Sequence, residues 1–583
     1  MVELSEYKRF FPFPTIRKGQ KKAIEFILNS FLHKKKKYVI LEAGTGVGKS
    51  AIGLTISRYL QHVQIKKQVP KQEREQDPTT VIPPQKGSYI LTTQKILQQQ
   101  YMDDYASSAS SLKKETEDSI CDIEDLCSIS SATNYKCCMN PSVSCASSQR
   151  ILKVADRRSD FFINCTRKCR YKTKKKEFIK SHDGVTNFAY FLAETMYVGE
   201  FKPRELLIVD ECHNISSEIS GFIDIKIEKS FAEDQLDLFF PTENKGIYTW
   251  IKNDYEPELM KFKEEKEQNM EKHLAATHRL SHDQAVKLSK DIEILDKHSC
   301  KVRRFLNFYT RENWIIHITE DKNIEIKPID VAQFTNEVLF KYGANYVLMM
   351  SATVLSKKKF CILNGLNPSE VDFLQIESPF LYENKPIMIL PAGPMSKSHL
   401  EKTMPKIIAN IIKIMKKYST YKGIVHCHTY KIAQMIKKTI KSNRLLLHNS
   451  RNRKETLNLH LKSPHPTVLL SPSMTEGIDL KDNLSRFQII CKIPYPYLGD
   501  PLTQKRSKKW LWWYEYETAK TLIQGIGRSV RSQKDYAITL ILDSCWINFY
   551  HQCKHYFPPE FQKSIFTYKE LLQSKKRNCS LIS

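Results

Sequence analysis

Residues 43–50 read Ala-Gly-Thr-Gly-Val-Gly-Lys-Ser, directly after the apolar run YVILEA and directly before SAIGLTISRYL. Glycine is scarce, 18 in 583 residues, yet Gly44, Gly46 and Gly48 stand at alternate positions here. Glycines gathered between a strand and a helix mark backbone that must approach a ligand closely. The octapeptide fits a phosphate-binding loop, with Ala43 where the stricter pattern has glycine. Such a loop needs a parallel strand behind it and a helix N-terminus in front, both aimed at one anion. Ala43, Gly44, Thr45, Gly46, Val47 and Gly48 would wrap the phosphates of a nucleotide. Lys49 would neutralise the β/γ oxygens and Ser50 would hold Mg²⁺. A Gly-rich turn with an incidental lysine is the bland alternative.

The partner of a phosphate loop is a carboxylate at the end of a neighbouring strand, and LLIVDECH supplies it. Apolar residues as far as Val209 bury that strand, so two adjacent acids at its C-terminal end must face a cation or a cleft. Asp210 is expected to hold Mg²⁺ and Glu211 to polarise an attacking water. A solvated strand-end acid is the other reading of Glu211.

The alternation continues on both sides. RKGQKKAIEFILNSFLHKKKK carries Ile24, Ile27, Leu28 and Leu32 at helical spacing, and GVTNFAYFLAETMY also reads as helix. SYILTTQ, ELLIVDEC and YVLMMSATVL read as strands. Residues 64–87, rich in Pro, Gln and charge, read as an exposed loop. From 225 to 335 the text is highly charged and almost free of Gly and Pro, which predicts long helices standing out from the sheet. KGIVHCHT, TVLLSPS, RFQIICKI and AITLILD then form a second block. The fold class is α/β: two domains with parallel sheets flanked by helices, the first carrying two insertions. The expected boundaries are 1–104, 181–224 and 336–380 for the first domain, 105–180 and 225–335 for its cysteine-rich and helical insertions, and 381–583 for the second domain.

Lys and Arg number 91 against 64 Asp and Glu, a net charge of +27 that suggests a polyanionic partner, nucleic acid first. A Lys-rich surface spread over every exposed helix is the alternative. No stretch approaches the roughly 18 apolar residues that cross a bilayer, and MVELSEYKRFF lacks the order of a signal peptide. The expectation is a soluble, intracellular protein with no membrane partner, cytoplasmic or, in a eukaryote, nuclear. Cysteines crowd one segment: Cys121, Cys127, Cys137, Cys138, Cys145, Cys165 and Cys169.

EAGTGVGKS, LTTQ, DECHN, SAT, EGID and QGIGRSVR follow the order and spacing of superfamily 2 helicases. DECH stands where the DEAH box stands, with Cys in place of Ala. The chain most resembles the XPD and DinG group, whose first motor domain carries a cysteine insertion between these two motifs. The resemblance covers nearly the whole chain, is weakest over 225–335, and implies two RecA-like domains, a cluster domain and a helical arch. It further implies an ATP-dependent DNA helicase, 5′-to-3′ movement on single-stranded DNA, forked or bubble DNA as substrate, a role in DNA repair and a monomeric state. A translocase that remodels without separating strands, and a non-enzymatic nucleic-acid-binding subunit, are the rival readings.

In QGIGRSVR, spacings of four and three predict that Gln524, Arg528 and Arg531 project from nearly one helix face. Rigid guanidinium groups suit the charge on a transferring γ-phosphoryl, so Arg528 and Arg531 look like arginine fingers from the second domain, with Gln524 contacting the γ-phosphate or the water. Gly477 and Asp479 of the EGID stretch, together with Ser351-Ala352-Thr353, resemble elements that couple nucleotide state to nucleic-acid grip. Arg17 and Gln20 resemble the family's adenine-contacting element; a solvated helix start reads equally well.

The pair Cys165 and Cys169 is C-x₃-C, unlike the C-x₂-C knuckles of zinc ribbons, which favours iron–sulfur chemistry over zinc. In the family a [4Fe-4S] cluster occupies this insertion. ATNYKC and KCRYK look similar to its flanks, and the resemblance carries ligand roles to Cys137, Cys145, Cys165 and Cys169, with Cys138, Cys121 and Cys127 as alternatives. For the strand itself, Thr92, Thr93 and Gln94, the basic run Arg167–Lys176 and QKRSKKWLWWYEY offer hydroxyls, cations and aromatics. Trp510, Trp512 and Trp513 read better as core than as a stacking platform.

Overall fold

The computed structural model describes residues 4–67, 85–112, 126–274, 281–341, 344–449, 452–472 and 480–566. In chain order the strands are β1 (Tyr38–Ala43), β2 (Gln85–Thr92), β3 (Leu126–Ser128), β4 (Asp183–Asn187), β5 (Arg204–Asp210), β6 (Ile225–Ile227), β7 (Trp314–Ile318), β8 (Ile324–Pro328), β9 (Tyr346–Ser351) and β10 (Val371–Ile376). They continue with β11 (Ile387–Gly393), β12 (Gly423–His426), β13 (Leu445–Leu447), β14 (Val468–Ser471), β15 (Phe487–Ile490), β16 (Ile538–Asp543) and β17 (Ile565–Phe566).

Two seven-stranded parallel sheets result, ordered β10-β1-β9-β5-β2-β4-β3 and β13-β14-β12-β15-β16-β11-β17. Their central strands are mostly apolar because both faces are covered. Tyr38, Ile40, Leu207, Val209, Val347 and Met349 enter one core, while Val39, Leu41, Leu206, Ile208, Leu348 and Met350 enter the other. Period-two alternation thus divides one continuous apolar run between two layers. The helix Lys49–Lys67 is buried at every position from Ala51 to Leu60, since Tyr7, Phe10 and Phe11 of the N-terminal segment cover its outer side.

Some elements differ from the expectation. GVTN is β4, not the start of a helix, and Asn187 caps the shorter helix Phe188–Ala193 by accepting from Tyr190 N–H. β3 lies within the segment expected as the cysteine insertion, yet it pairs with β4 in the first sheet. The 225–335 region holds the two long helices Glu256–Leu274 and His282–Phe308, but also a three-stranded antiparallel sheet of β6, β8 and β7 at its root. IEIKP alternates with period two inside charged text, so the sheet's inner face is short and easily missed. Part of the loop expected over 64–87 lies outside the described residues, and its ends belong to the helix Lys49–Lys67 and to β2. No helix among the described residues is long and apolar enough to cross a membrane.

Buried charges tie the insertions down. Arg204, 1% exposed, donates to the carbonyls of Ser88, His182, Phe178 and Ile179, locking the helix Arg170–Lys180 onto the sheet. Arg150 on the helix Cys145–Val154 binds Glu293 of the long helix His282–Phe308, so the two insertions also touch each other. Glu42 at the end of β1 accepts from Val354 and Leu355 N–H, each at 2.8 Å. Leu355 sits at φ 62°, a left-handed conformation costly for leucine, and these bonds hold it there.

Burial, with Glu560 adding to it and the two N–H bonds opposing it, pushes the Glu42 carboxyl up to about 7 from an ordinary 4.5. The folded state therefore holds a proton that the unfolded chain releases. Its contribution is complete below pH 4.5 and is lost as pH rises toward 7. Glu42→Gln keeps an acceptor for both amides and has no proton to lose. The difference in stability between variant and wild type is expected to grow in the variant's favour by on the order of 3 kcal/mol from pH 5 to pH 8, read by thermal melting across that range.

Candidate active site

The phosphate loop follows β1, the DECH turn follows β5, and β9, ending in Ser351, lies between them in the sheet. Three C-terminal strand ends therefore stand side by side, the place where open parallel sheets bind ligands. Gly46 and Gly48 adopt φ 84° and 87°, which only glycine accepts without strain. Lys49 Nζ rests 3.4 Å from the Ala43 carbonyl, within the loop it would serve.

Arg17 and Gln20 hold this loop. Arg17 Nη1 donates to the Gly46 carbonyl at 2.7 Å, and Gln20 Nε2 donates to the Val47 carbonyl at 2.9 Å. Gln20 Oε1 in turn accepts from the Arg17 amide at 3.0 Å. Gln20 is buried at this support, while Arg17 stays exposed to solvent.

Asp210 is 6% exposed and accepts from Tyr101 Oη at 3.1 Å and from the Glu211 amide at 3.0 Å. Tyr101 also lies within hydrogen-bonding reach of Ser50. The Ser50 hydroxyl and the Asp210 carboxylate therefore converge on one phenol, a donor set of hard oxygens that fits Mg²⁺. Burial and the adjoining Glu211 push Asp210 up, although Lys49 opposes them. Glu211 goes the other way: burial is outweighed by His213, Lys49 and Arg531, which hold it ionised. Its backbone sits at φ 52°, the kind of strain that concentrates at functional sites.

From Glu211 a chain of contacts leaves for the second domain. His213 Nδ1 lies 3.3 Å from Glu211 Oε2 and 2.8 Å from Ser351 Oγ. Ser351 Oγ accepts from the Thr353 amide at 3.0 Å, and Thr353 Oγ1 accepts from Gln524 Nε2 at 2.8 Å. Eight residues before Gln524 on the same helix, Trp513–Ile526, Tyr516 Oη donates to the Val354 carbonyl at 2.7 Å.

The expected single helix face for Gln524, Arg528 and Arg531 is not what forms. The helix stops at Ile526, and both arginines lie beyond it. Gly525 and Gly527 weaken its last turn, and the Ile526 carbonyl is taken by Gln488 Nε2 at 2.8 Å instead of by Val530 N–H. All three residues nevertheless line one cleft of about 500 Å³ with Gly44, Thr45, Gly46, Lys49 and Glu211. Thr93 and Gln94 also line it, whereas Thr92 is buried and bonds to the carbonyls of Gln94 and Thr186. Gly477 and Asp479 lie outside the described residues.

Several contributors escaped sequence reasoning. Gln488, a lone amide inside the strand FQII, also bonds Thr539 Oγ1 at 2.9 Å and lies 3.4 Å from His426 Nε2. Glu42 is likewise a lone charge inside YVILEA, so a polar residue breaking an apolar strand was the available signal. Tyr101 and Tyr516 carried none. QKRSKKWLWWYEY is used differently from the expectation: Arg506 donates to Ile329 O and Pro328 O, and Lys509 pairs with Asp330 at the root of the helical insertion. Trp513 is core, with Trp510 and Trp512 packed against it.

In the cysteine insertion Cys137, Cys145, Cys165 and Cys169 are all buried, between 2% and 6% exposed. Burial and the neighbouring Cys169 and Cys137 push the Cys165 thiol up to about 11, and burial and Cys169 raise Cys145 likewise. Thiols that perturb one another are near neighbours. Cys138 is exposed, Cys127 faces Lys174 on β3, and Cys121 lies outside the described residues. Among the described residues no three His, Cys, Asp or Glu side chains are set to hold a single ion.

Two family models match: a helicase C-terminal domain over residues 411–564 and the res subunit of type III restriction enzymes over residues 13–239. The chain is 27% identical to the ATP-dependent DNA helicase DinG of Photobacterium profundum over 39% of its own length and 36% of that relative's. It is 20% identical to a probable ATP-dependent helicase of Methanocaldococcus jannaschii over 92% of both chains. A solved XPD helicase superposes with a TM-score of 0.60 at 14% identity, covering 95% of this chain and all of the other, which speaks to the fold. With the two parallel sheets and the cleft they share, these likenesses make the chain similar in sequence to ATP-dependent helicases, DinG among them, and similar in fold to XPD.

Proposed function

We propose that this protein is an ATP-driven DNA helicase that moves 5′ to 3′ on single-stranded DNA and opens forked or bubble DNA in repair. The observation that carries the reading is one cleft lined by Lys49 and Glu211 from the first domain and by Gln524, Arg528 and Arg531 from the second. A triphosphate bound there meets the loop amides and Lys49 on one side and two guanidinium groups on the other. Ser50 and Asp210 would hold Mg²⁺, which supplies charge neutralisation between the β and γ phosphates when bound. Glu211, held ionised, orients the attacking water and draws its proton, and Arg528 and Arg531 offset the charge growing on the γ-phosphoryl oxygens. Since groups from both domains serve one reaction, hydrolysis and product release alter how the domains sit together, and a strand gripped by both is moved.

The strand is read through its backbone. Arg167, Lys168, Arg170 and Lys176 are exposed on the cysteine insertion, and Thr93 and Gln94 border the cleft. Cys137, Cys145, Cys165 and Cys169 would hold a 4Fe–4S cluster, which when bound staples a small, basic domain with little core of its own. Their burial and mutual perturbation support that set over Cys138 and Cys127.

Lys49→Ala is expected to reduce DNA-stimulated ATP turnover by at least about 100-fold, and Arg531→Ala by about 1,000-fold, in a phosphate-release assay. No DNA-stimulated turnover in the wild type, with no effect of Lys49→Ala, would leave a binding subunit, and turnover without displacement of a labelled strand would leave a translocase. Anaerobically purified protein is expected to be brown with about four iron atoms per chain, and Cys165→Ser colourless. A colourless, zinc-loaded wild type would overturn the cluster while leaving the ATPase intact.

A further inference from the structure

The segment joining the two domains crosses the phosphate loop itself. Ser378 Oγ donates to the Thr45 carbonyl at 3.0 Å, and the Ser378 backbone lies so close that a Cβ on Gly44 would come within 2.8 Å of its nitrogen. Phe380 N–H donates back to Ser378 Oγ at 3.4 Å. That turn delivers the Phe380 ring onto Gly46, where any Cβ would overlap it. The same buried ring packs with Val530 and Ala537 of the second domain. Four residues further on, Asn384 is tied to that domain: its carbonyl accepts from Ala537 N–H at 3.0 Å, and its Nδ2 donates to the Gln533 carbonyl at 3.0 Å.

The linker is thus a strap with one end on the phosphate loop, the other on the second domain, and a buried aromatic ring between. Val530 stands between Arg528 and Arg531 in sequence, on the stretch that leaves the helix after Ile526. We propose that Phe380 is a positioning residue: a wedge that sets the distance between the phosphate loop and the two arginines, so that a change at the loop is passed to them. This rests on the reading of the cleft as the ATP site. A buried ring transmits displacement because close-packed contacts resist compression, whereas an exposed linker would absorb it. Nucleotide binding relies mainly on the loop and Lys49, but hydrolysis also needs the arginines in register, and a misplacement of about 1 Å costs on the order of 100-fold in rate.

The test measures kcat for DNA-stimulated ATP hydrolysis beside the Kd of a fluorescent ADP analogue. Phe380→Ala is expected to lower kcat by about 10- to 100-fold with Kd for ADP within about threefold. Phe380→Leu, which retains an apolar wedge, should recover most of the rate. Val530→Ala should show the same split, and the double variant should lose little more than either single one, because both remove one contact. Wild-type kcat in Phe380→Ala would overturn the proposal. So would parallel losses of kcat and ADP affinity, which would make Phe380 a nucleotide contact, or fully additive losses in the double variant. If Phe380→Ala does not fold, Phe380→Leu and Val530→Ala decide: an unchanged kcat in Val530→Ala then overturns it. Lys49→Ala separates this failure from that of the site: if it hydrolyses ATP normally the cleft reading falls, and if it is inert while Phe380→Ala is normal only the wedge falls.

Discussion

The hydrogen bond from Gln524 Nε2 to Thr353 Oγ1 is the narrow crossing on which the rest of this molecule depends. On one side it continues through Ser351 and His213 to Glu211, the acid beside the phosphate loop. On the other it belongs to the helix whose end presents Arg528 and Arg531. Tyr516, bonded to the Val354 carbonyl, and Glu42, bonded to the Val354 and Leu355 amides, grip the same short loop from opposite sides. Each neutral bond of this kind contributes about 1 kcal/mol net, so the few that cross between domains amount to a few kcal/mol. A ligand needs about 5.5 kcal/mol of differential affinity to invert a two-state equilibrium from 1:99 to 99:1. Beside these hydrogen bonds, Leu355 and Leu363 pack with Trp513 and Tyr516, so the crossing is apolar as well as polar.

The large positive charge is divided between two uses. Buried cations serve architecture: Arg204 satisfies four carbonyls under the helix leaving the cysteine insertion, and Arg486 pairs with Asp535 at 2.7 Å beneath the arginine-bearing stretch. Asp535 also accepts from the Arg531 amide, so one carboxylate fixes both the buried arginine and the backbone of Arg531. Arg506 and Lys509 bind the root of the helical insertion, and Arg150 joins the two insertions. On the cysteine insertion Arg167, Lys168, Arg170 and Lys176 are exposed, while Lys175 is withdrawn into pairs with Glu194 and Glu200.

Much of the fold was legible because its signals are local. Strands buried on both faces are continuous apolar runs, and YVILEA, LLIVD, VLMM and ITLILD announce them without any knowledge of their neighbours. The short edge strands β3, β13 and β17 span two or three residues each, too few to show a period. GVTN misled because its apolar content merges with the helix that follows. The QGIGRSVR stretch misled in the opposite direction: helical spacing held on paper, but Gln488, 38 residues before Ile526 and on β15, takes the carbonyl that would have extended the helix.

By itself the sequence determined the phosphate loop, the two acids after β5, the arginines and the order of the motor elements. Those are spacings along the chain, governed by strand and helix periods and by the scarcity of glycine. Only the tertiary structure decided that Arg17 and Gln20 support the loop, that Gln524 reaches Thr353, that Phe380 meets both Gly46 and Val530, and that four of the crowded cysteines are buried. Such contacts join residues as distant along the chain as Gly46 and Phe380. Their free energy is realised only after the chain has closed those loops, and nothing in the local periodicity records which partners will then meet.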